Sequence, residues 1–446
     1  MKQFYTLLAL LLVVSGTQTL LAQDQEDSVA TAGSEQLQEL KGQVDGMNET
    51  LLEMKNTLDA LKKIKVSGYI QAQYQTADTA SVKTFAGADF PTNVRSRFQV
   101  RRGRLKVNYD NDLTQYVLQF DVTQNGVGVK DAYASIRDPW TRTAVFTAGI
   151  FDRPFGFEIS YSSGSRETPE RSRVFQTLFP GEREIGAKLE LNGETGLWTY
   201  LNFKAGVFNG VLNNANENDR NKDFIGRAGF TLPFEEMNLA VDGGFSLYAG
   251  KVTTNSKFVY DLNLDSPAKP YRVDSASSNV GNSYARTYYG GDLQLYYDLP
   301  AVGGMSLRGE YISGSQPGTS ALNSLYNPGS TVTPIYLRKF AGWYLNLVQN
   351  IGVDNQFVVK YDVLDPNSDI DGAEIGAAGT SHNAADVRYS TLGIGWIHHW
   401  DANVKFVLYY DMVSNEKVNS AAAGTLAAYR SDVKDNVTTF RMQYKF

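Results

Sequence analysis

Residues 436–446 read NVTTFRMQYKF. Phe440, Met442, Tyr444 and Phe446 fall on one parity, with Arg441, Gln443 and Lys445 on the other. Successive side chains of a strand point to opposite faces, so this stretch is a strand with one aromatic face and one charged face. Residues 66–75 repeat the pattern: Val66, Gly68, Ile70, Ala72 and Tyr74 alternate with Tyr69, Gln71, Gln73 and Gln75. Apolar-out, polar-in alternation at both ends of a long chain is expected of a barrel that meets lipid outside and water inside.

The stretches between extend this pattern. Strands are expected near 65–76, 97–109, 113–122, 128–137, 143–152, 183–192, 197–208, 222–232, 237–249, 285–298, 304–314, 336–348, 354–363, 389–398, 402–414 and 436–446. Connections after even-numbered strands are short, as at Asp110 to Asp112, Asn192 to Gly196 and Pro233 to Glu236. Those after odd-numbered strands are mostly long, including Arg153 to Glu182, Gly250 to Tyr284, Ser315 to Ile335, Leu364 to Arg388 and Asn415 to Asp435. Short turns at one end and long loops at the other are the asymmetry of outer-membrane barrels. Thr123 to Gly126 is short and breaks the rule. Trp198, Trp343, Trp396, Trp400 and Tyr410 sit near predicted strand ends, as an interfacial belt would. The expected fold is therefore all-β: a 16-stranded antiparallel transmembrane β-barrel over 65–446, preceded by an α-helical coiled-coil segment. A soluble all-β protein is the rival reading, but it has little use for outward aromatics.

Ahead of the barrel, Leu37, Leu40, Val44, Met47, Leu51, Met54, Leu58 and Leu61 recur at alternating steps of three and four. Four heptads of this kind specify a coiled coil, and a seam without a partner in the same chain implies identical copies. A lone helix lying on the barrel or membrane is the alternative. Lys2, the apolar run Thr6 to Val14 and the small residues ending at Ala22 have the layout of a secretory signal, cut after Ala22; Leu20 fits the cleavage pattern poorly. The expected organisation is thus 1–22 signal, 23–64 periplasmic helix and 65–446 barrel. Removing Lys2 takes the net charge from -6 to -7. Cysteine is absent, which excludes disulfides and thiolate metal sites.

Gly149 to Glu158 ("GIFDRPFGFE") resembles a signature of the phosphate-selective porin O and P family. So do "RFQVRRGRLKV" (97–107), "GVFNG" (206–210), "GRAGF" (226–230) and "YDVLDPN" (361–367), and the terminal Phe446 resembles a barrel-assembly signal. The stalk resembles a form found in Bacteroidetes porins. The resemblance implies an outer-membrane porin, trimeric as porins commonly are, passing small hydrophilic solutes or anions such as phosphate by diffusion, with outer-membrane lipids as its surroundings and the stalk in the periplasm.

Arg102, Arg104 and Lys106 share one face of the second strand, so they form a cation ladder if that face lines the pore. Arg is well suited to holding phosphate through paired donors. Pairing with neighbouring carboxylates such as Asp121 is the competing reading. By analogy the third loop folds inward, bringing Arg153, Arg166, Arg171 and Arg173 beside Glu167 and Glu170 as pore-lining or anion-binding candidates; a solvated loop tip is the alternative. Asp242, Asp292, Asp298, Glu310, Asp362 and Asp411 also face inward by parity, beside Arg308, Lys360, Lys405 and Arg441, which argues against strong anion selectivity.

Asp365, Asn367, Asp369, Asp371 and Gly372 have calcium-like spacing but lack the closing Glu, so a solvated acidic loop is the preferred reading and no metal or other cofactor is expected. His382, His398 and His399 are the only histidines and stand in no recognisable nucleophile arrangement, so neither catalysis nor catalytic residues are expected. No nucleic-acid-binding stripe is present. A structural or adhesive barrel and, less favoured, an outer-membrane hydrolase remain the alternatives to a pore.

Overall fold

The computed structural model describes residues 26–212, 216–321 and 332–446, with the helix side chains described from Gln38 onward. The signal-peptide expectation and the side chain of Leu37 lie outside the described residues. The chain divides into two compact units, one ending at Lys62 and one running from Lys63 to Phe446.

Among the described residues, the first unit is the helix Glu26–Lys62. Leu, Glu, Gln, Lys and Met are good helix formers and proline is absent, so the segment can tolerate Gly42 and Gly46, each costing about 1 kcal/mol relative to Ala. Leu40, Val44, Met47, Leu51, Met54, Leu58 and Leu61 are all exposed, so among the described residues these seam positions are not buried.

In the second unit, 16 strands form a closed antiparallel barrel: Ile64–Ala77, Ser96–Asn111, Thr114–Thr123, Gly126–Arg137, Ala144–Asp152, Arg183–Leu191, Leu201–Phe208, Asp223–Phe234, Leu239–Thr253, Ser283–Leu299, Gly303–Gly318, Ile335–Ile351, Asn355–Asp365, Tyr389–His399, Val404–Asn415 and Val437–Lys445. The first and last close the ring in the register Ile70↔Tyr444 and Tyr74↔Phe440. Closure gives every strand two partners, which is what a bilayer without water demands. No described helix is long and apolar enough to cross a membrane.

Burial is inverted relative to a soluble core. Ile70, Phe440, Met442 and Tyr444 are exposed on the outside, whereas Gln71, Gln73, Gln75, Thr439 and Arg441 are buried within. The alternation expected at both chain ends is therefore observed, with the apolar face outward.

Three features depart from the expected strand pattern. The seventh strand starts at Leu201 rather than 197, because Gly196, at φ 63°, opens a 3-10 turn through Thr199. The fifth loop contains its own hairpin, Val259–Leu262 with Tyr271–Asp274, which pairs in parallel with the start of the twelfth strand at Val259↔Ile335. Trp343 and Tyr410 lie in mid-strand rather than near strand ends, whereas Trp396 and Trp400 are close to a short turn. The ninth to twelfth strands run for 15 to 17 residues. About 9–11 residues suffice to cross a bilayer. The surplus supports a crown in which loop residues Leu262, Ile370, Ile375, Val418 and Leu426 form an apolar core.

The largest buried apolar cluster lies inside the barrel. Phe155, Ile159, Val174, Phe175, Leu178 and Phe179 of the third loop pack on inward Phe208, Ile225, Tyr248, Tyr288, Ile312, Phe340 and Tyr344 of the wall. Polar-in alternation fails along this arc because the wall seats a loop there instead of water.

Candidate functional site

The third loop, residues 153–182, carries four arginines and four glutamates, so it is neutral overall. It leaves the fifth strand through a turn at Gly156, whose φ of 59° favours glycine and where a Cβ would lie 2.1 Å from a Glu310 carboxylate oxygen. That carboxylate accepts hydrogen bonds from the backbone N–H groups of Phe157 (2.9 Å) and Glu158 (2.5 Å) and from the Tyr344 hydroxyl (2.6 Å). Inward Gly290 leaves room for Phe155, whose ring would be 2.7 Å from a Cβ there. A short helix, Arg173–Leu178, then presents Val174, Phe175 and Leu178 to the wall.

From this seat the loop crosses the lumen. Glu167 takes two hydrogen bonds from Arg308 of the eleventh strand, at 2.9 and 3.1 Å. Lys405 of the fifteenth strand donates to the Arg166 carbonyl and Lys360 of the thirteenth to that of Glu170, both at 3.1 Å. Gln71 and Gln443, from the first and last strands, donate to the carbonyls of Ser163 and Gly164. The loop expected to fold inward therefore does so, and its tip is not solvated.

Opposite the aromatic seat, two β-bulges arrange the charged wall. The register passes from Gln71↔Arg102 to Ala72↔Val100, leaving Arg101 unpaired, and from Gln119↔Asp131 to Phe120↔Val129, leaving Lys130 unpaired. A bulge inserts one residue and resets the alternation, so Arg101 and Arg102 can both reach into the lumen, as can Lys130 and Asp131. Arg101, Arg102 and Arg441 converge on the Glu170 carboxylate with closest contacts of 2.9, 2.7 and 2.9 Å. Burial alone would raise the Glu170 carboxyl, but Arg101, Arg102 and Arg441 hold it well below its ordinary value. At the loop's far end, Glu182 meets Lys130, Arg171 and Arg183.

The predicted site residues separate into groups on these partners. Arg102 and Arg104 are buried on the inner face, and Arg104 lies 3.5 Å from Asp121, the partner weighed for it. Lys106 shares their face, half-buried, without an ion pair among the described residues. Arg153, fully buried, faces Glu184 at 3.6 Å and the Phe179 ring. Arg166 donates to the carbonyls of Thr168 and Pro169, and Arg171 to those of Glu158, Ile159 and Tyr161, so both brace the loop. The Arg173 guanidinium stacks over Phe85 and Tyr389.

Two cavities lie at the short-turn end of the barrel. One, of about 620 Å³, is lined by Tyr133, Arg137, Asp152, Lys188 and Glu190. The other, of about 610 Å³, includes Glu167, Tyr296, Arg308 and Asn350.

Sequence reasoning missed Arg101, Lys130 and Glu182. A signal for the first two was available: charges occur at both parities of 97–106 and at 130–131. A charge facing lipid costs about 2–4 kcal/mol at the midplane, so a strand bearing both parities must bulge. The seventh loop also differs from a solvated acidic segment. Asn367 is buried and donates to Asp386 at 3.0 Å, while Asp369 lies 3.3 Å from Lys339, and no group of three or more His, Cys, Asp or Glu that could hold a metal occurs among the described residues. His382 sits between the carbonyls of Glu374 and Lys269, and His398 and His399 face Asn355 and Gln356.

The model of the family described as phosphate-selective porin O and P matches residues 61–258. Among solved structures, Pseudomonas putida OprB aligns with TM-score 0.57 at 8% identity, covering 87% of this chain and 96% of its own. An anion-selective porin from Comamonas acidovorans aligns with TM-score 0.50 at 11% identity, covering 86% and 99%. At such identities these two show a shared fold. No curated protein matches the sequence significantly. The barrel thus has the fold of bacterial outer-membrane porins, and its residues 61–258 match the model of the phosphate-selective porin O and P family.

Proposed function

We propose that the chain is a non-enzymatic diffusion pore for small hydrophilic solutes, with a mild preference for anions set where the third loop meets the basic wall. The observation that carries this reading is the ring of fixed charges around that loop. Arg101, Arg102 and Arg441 stand against Glu170, and Lys130 and Arg183 against Glu182. Interspersed charges of both signs create a transverse field that orders ions by sign without trapping either. Phosphate is one candidate solute, supported by the family's description and by arginine's paired donors.

A trimer with outer-membrane lipids around its barrels and the Glu26–Lys62 helices joined in a periplasmic coiled coil is the assembly we infer; the heptad seam supports self-association, and the number three follows only from porins commonly being trimers. The test is planar-bilayer conductance with reversal potentials in chloride and phosphate salts, comparing wild type with the Arg102→Ala, Arg104→Ala, Lys106→Ala triple variant. Wild type is expected to conduct with a slight anion preference, and the triple variant to lose it. An absence of ion current would leave a structural or adhesive barrel as the better reading. Turnover of lipid or peptide substrates would restore the hydrolase.

A further inference from the structure

Inside the lumen Glu170 is outnumbered by guanidinium groups from the wall. Glu167 faces one arginine, Arg308, and Arg104 faces one carboxylate, Asp121, yet Glu170 faces three guanidinium groups. Arg101 and Arg102 each grip it with two nitrogens, at 2.9 and 2.9 Å and at 2.7 and 3.2 Å, and Arg441 adds a contact at 2.9 Å. Among the described residues each of the three finds its ion pair in Glu170 alone. The cations stand on wall strands and are braced there: Arg102 donates to Gln71 at 3.1 Å and Arg441 to Gln73 at 2.8 Å. The acid, by contrast, stands on a loop.

An arginine does not shed its proton, so a buried guanidinium cluster without a counter-charge must draw one from solution. A carboxylate held by two fork-like guanidinium pairs is also the geometry by which small oxyanions are bound. We propose that Arg101, Arg102 and Arg441 form an oxyanion subsite, for a carboxylate or a phosphate, that Glu170 occupies as a built-in competitor; Glu170 thereby holds down the pore's preference for anions. This rests on the diffusion-pore reading above and adds to it the residue that sets selectivity.

The test uses the full-length protein in planar bilayers. Glu170→Gln should raise the chloride-to-potassium permeability ratio, read from the reversal potential across a KCl gradient, by about threefold or more. Phosphate titrated into KCl should then reduce the current at a concentration roughly fivefold lower than in wild type, and acetate in parallel separates a carboxylate preference from a phosphate one. Glu167→Gln removes an acid from the same loop that faces a single arginine, and should shift the ratio by less than half as much. Adding Arg102→Gln to Glu170→Gln should bring the ratio back toward wild type.

An unchanged ratio in Glu170→Gln, a shift of equal size in Glu167→Gln, or a conductance rise without a selectivity change would each overturn the inference. Wild-type protein that passes no ions would instead fail the pore reading itself, so the two failures are distinct.

Discussion

Replacing Phe179 with alanine should release the third loop while leaving the barrel intact. The ring is fully buried, with centroids 5.0 Å from Phe155, 5.9 Å from Phe175, 6.1 Å from Tyr248 and 5.7 Å from Tyr288, and the Arg153 guanidinium lies over it at 5.0 Å. Truncating a buried Phe costs about 3–5 kcal/mol, toward the upper end where surroundings cannot collapse into the hole, as a hydrogen-bonded barrel wall cannot. The strands keep their ladders in either state, so the cost falls on docking of the loop. At about 1.4 kcal/mol per tenfold, the ratio of docked to undocked loop should drop by a factor on the order of a hundred to a few thousand. Single-channel recordings on Phe179→Ala should show a second, larger conductance and more open-channel noise. A variant that folds as a barrel, yet has wild-type conductance and noise, would refute the claim that this aromatic seat holds the loop.

Three further outcomes follow from other parts of the molecule. Asp386→Asn should loosen the crown, because the carboxylate accepts from Arg338 at 2.7 Å, Tyr271 at 2.9 Å and Asn367 at 3.0 Å, and breaking a buried pair costs about 3–5 kcal/mol; limited proteolysis should then cut within 366–388 while the strands stay protected. The crown's pH response has a definite sign. Burial works against the Asp386 charge, but Arg338 and its hydrogen bonds hold the carboxyl below its ordinary value. Its stabilisation is therefore complete above the unfolded pKa of about 3.9 and is lost as pH falls through the lower folded value. Protection of the crown from protease should stay flat from about pH 8 to pH 5 and fall only in stronger acid; loss beginning near pH 6 would contradict this pairing. Finally, the chain has no cysteine, so Leu51→Cys introduces a single thiol on the heptad seam. Mild oxidation should link full-length chains into dimers if the helices pair in parallel, and Glu53→Cys, off the seam, should link far less.

The strands were legible because a two-residue period is local. A side chain's parity tells which way it points without knowledge of its partner, and in a bilayer one direction must be apolar. For the same reason the short turns and long loops could be sorted before any pairing was known, whereas the inward third loop was expected only by analogy with the family the chain resembles. The bulges at Arg101 and Lys130 were harder, since one inserted residue reverses every later side chain and only the cost of charge in lipid reveals it. Nothing local marks Tyr248, Tyr288 and Phe340 as inward-facing: they turn inward because Phe155, Phe175 and Phe179, distant in sequence, seat against them.

Sequence alone thus determined the closed barrel, its strand count and its heptad helix, because each depends on a periodic pattern carried by consecutive residues. Only the tertiary structure decided what the charges do. Whether Arg102 meets a passing anion or Glu170, and whether Arg166 and Arg171 line a pore or brace a loop, depends on residues far apart in the chain that come together only when a neutral loop crosses the lumen. Electrostatic partners are chosen by distance in space, and no local spacing records that distance.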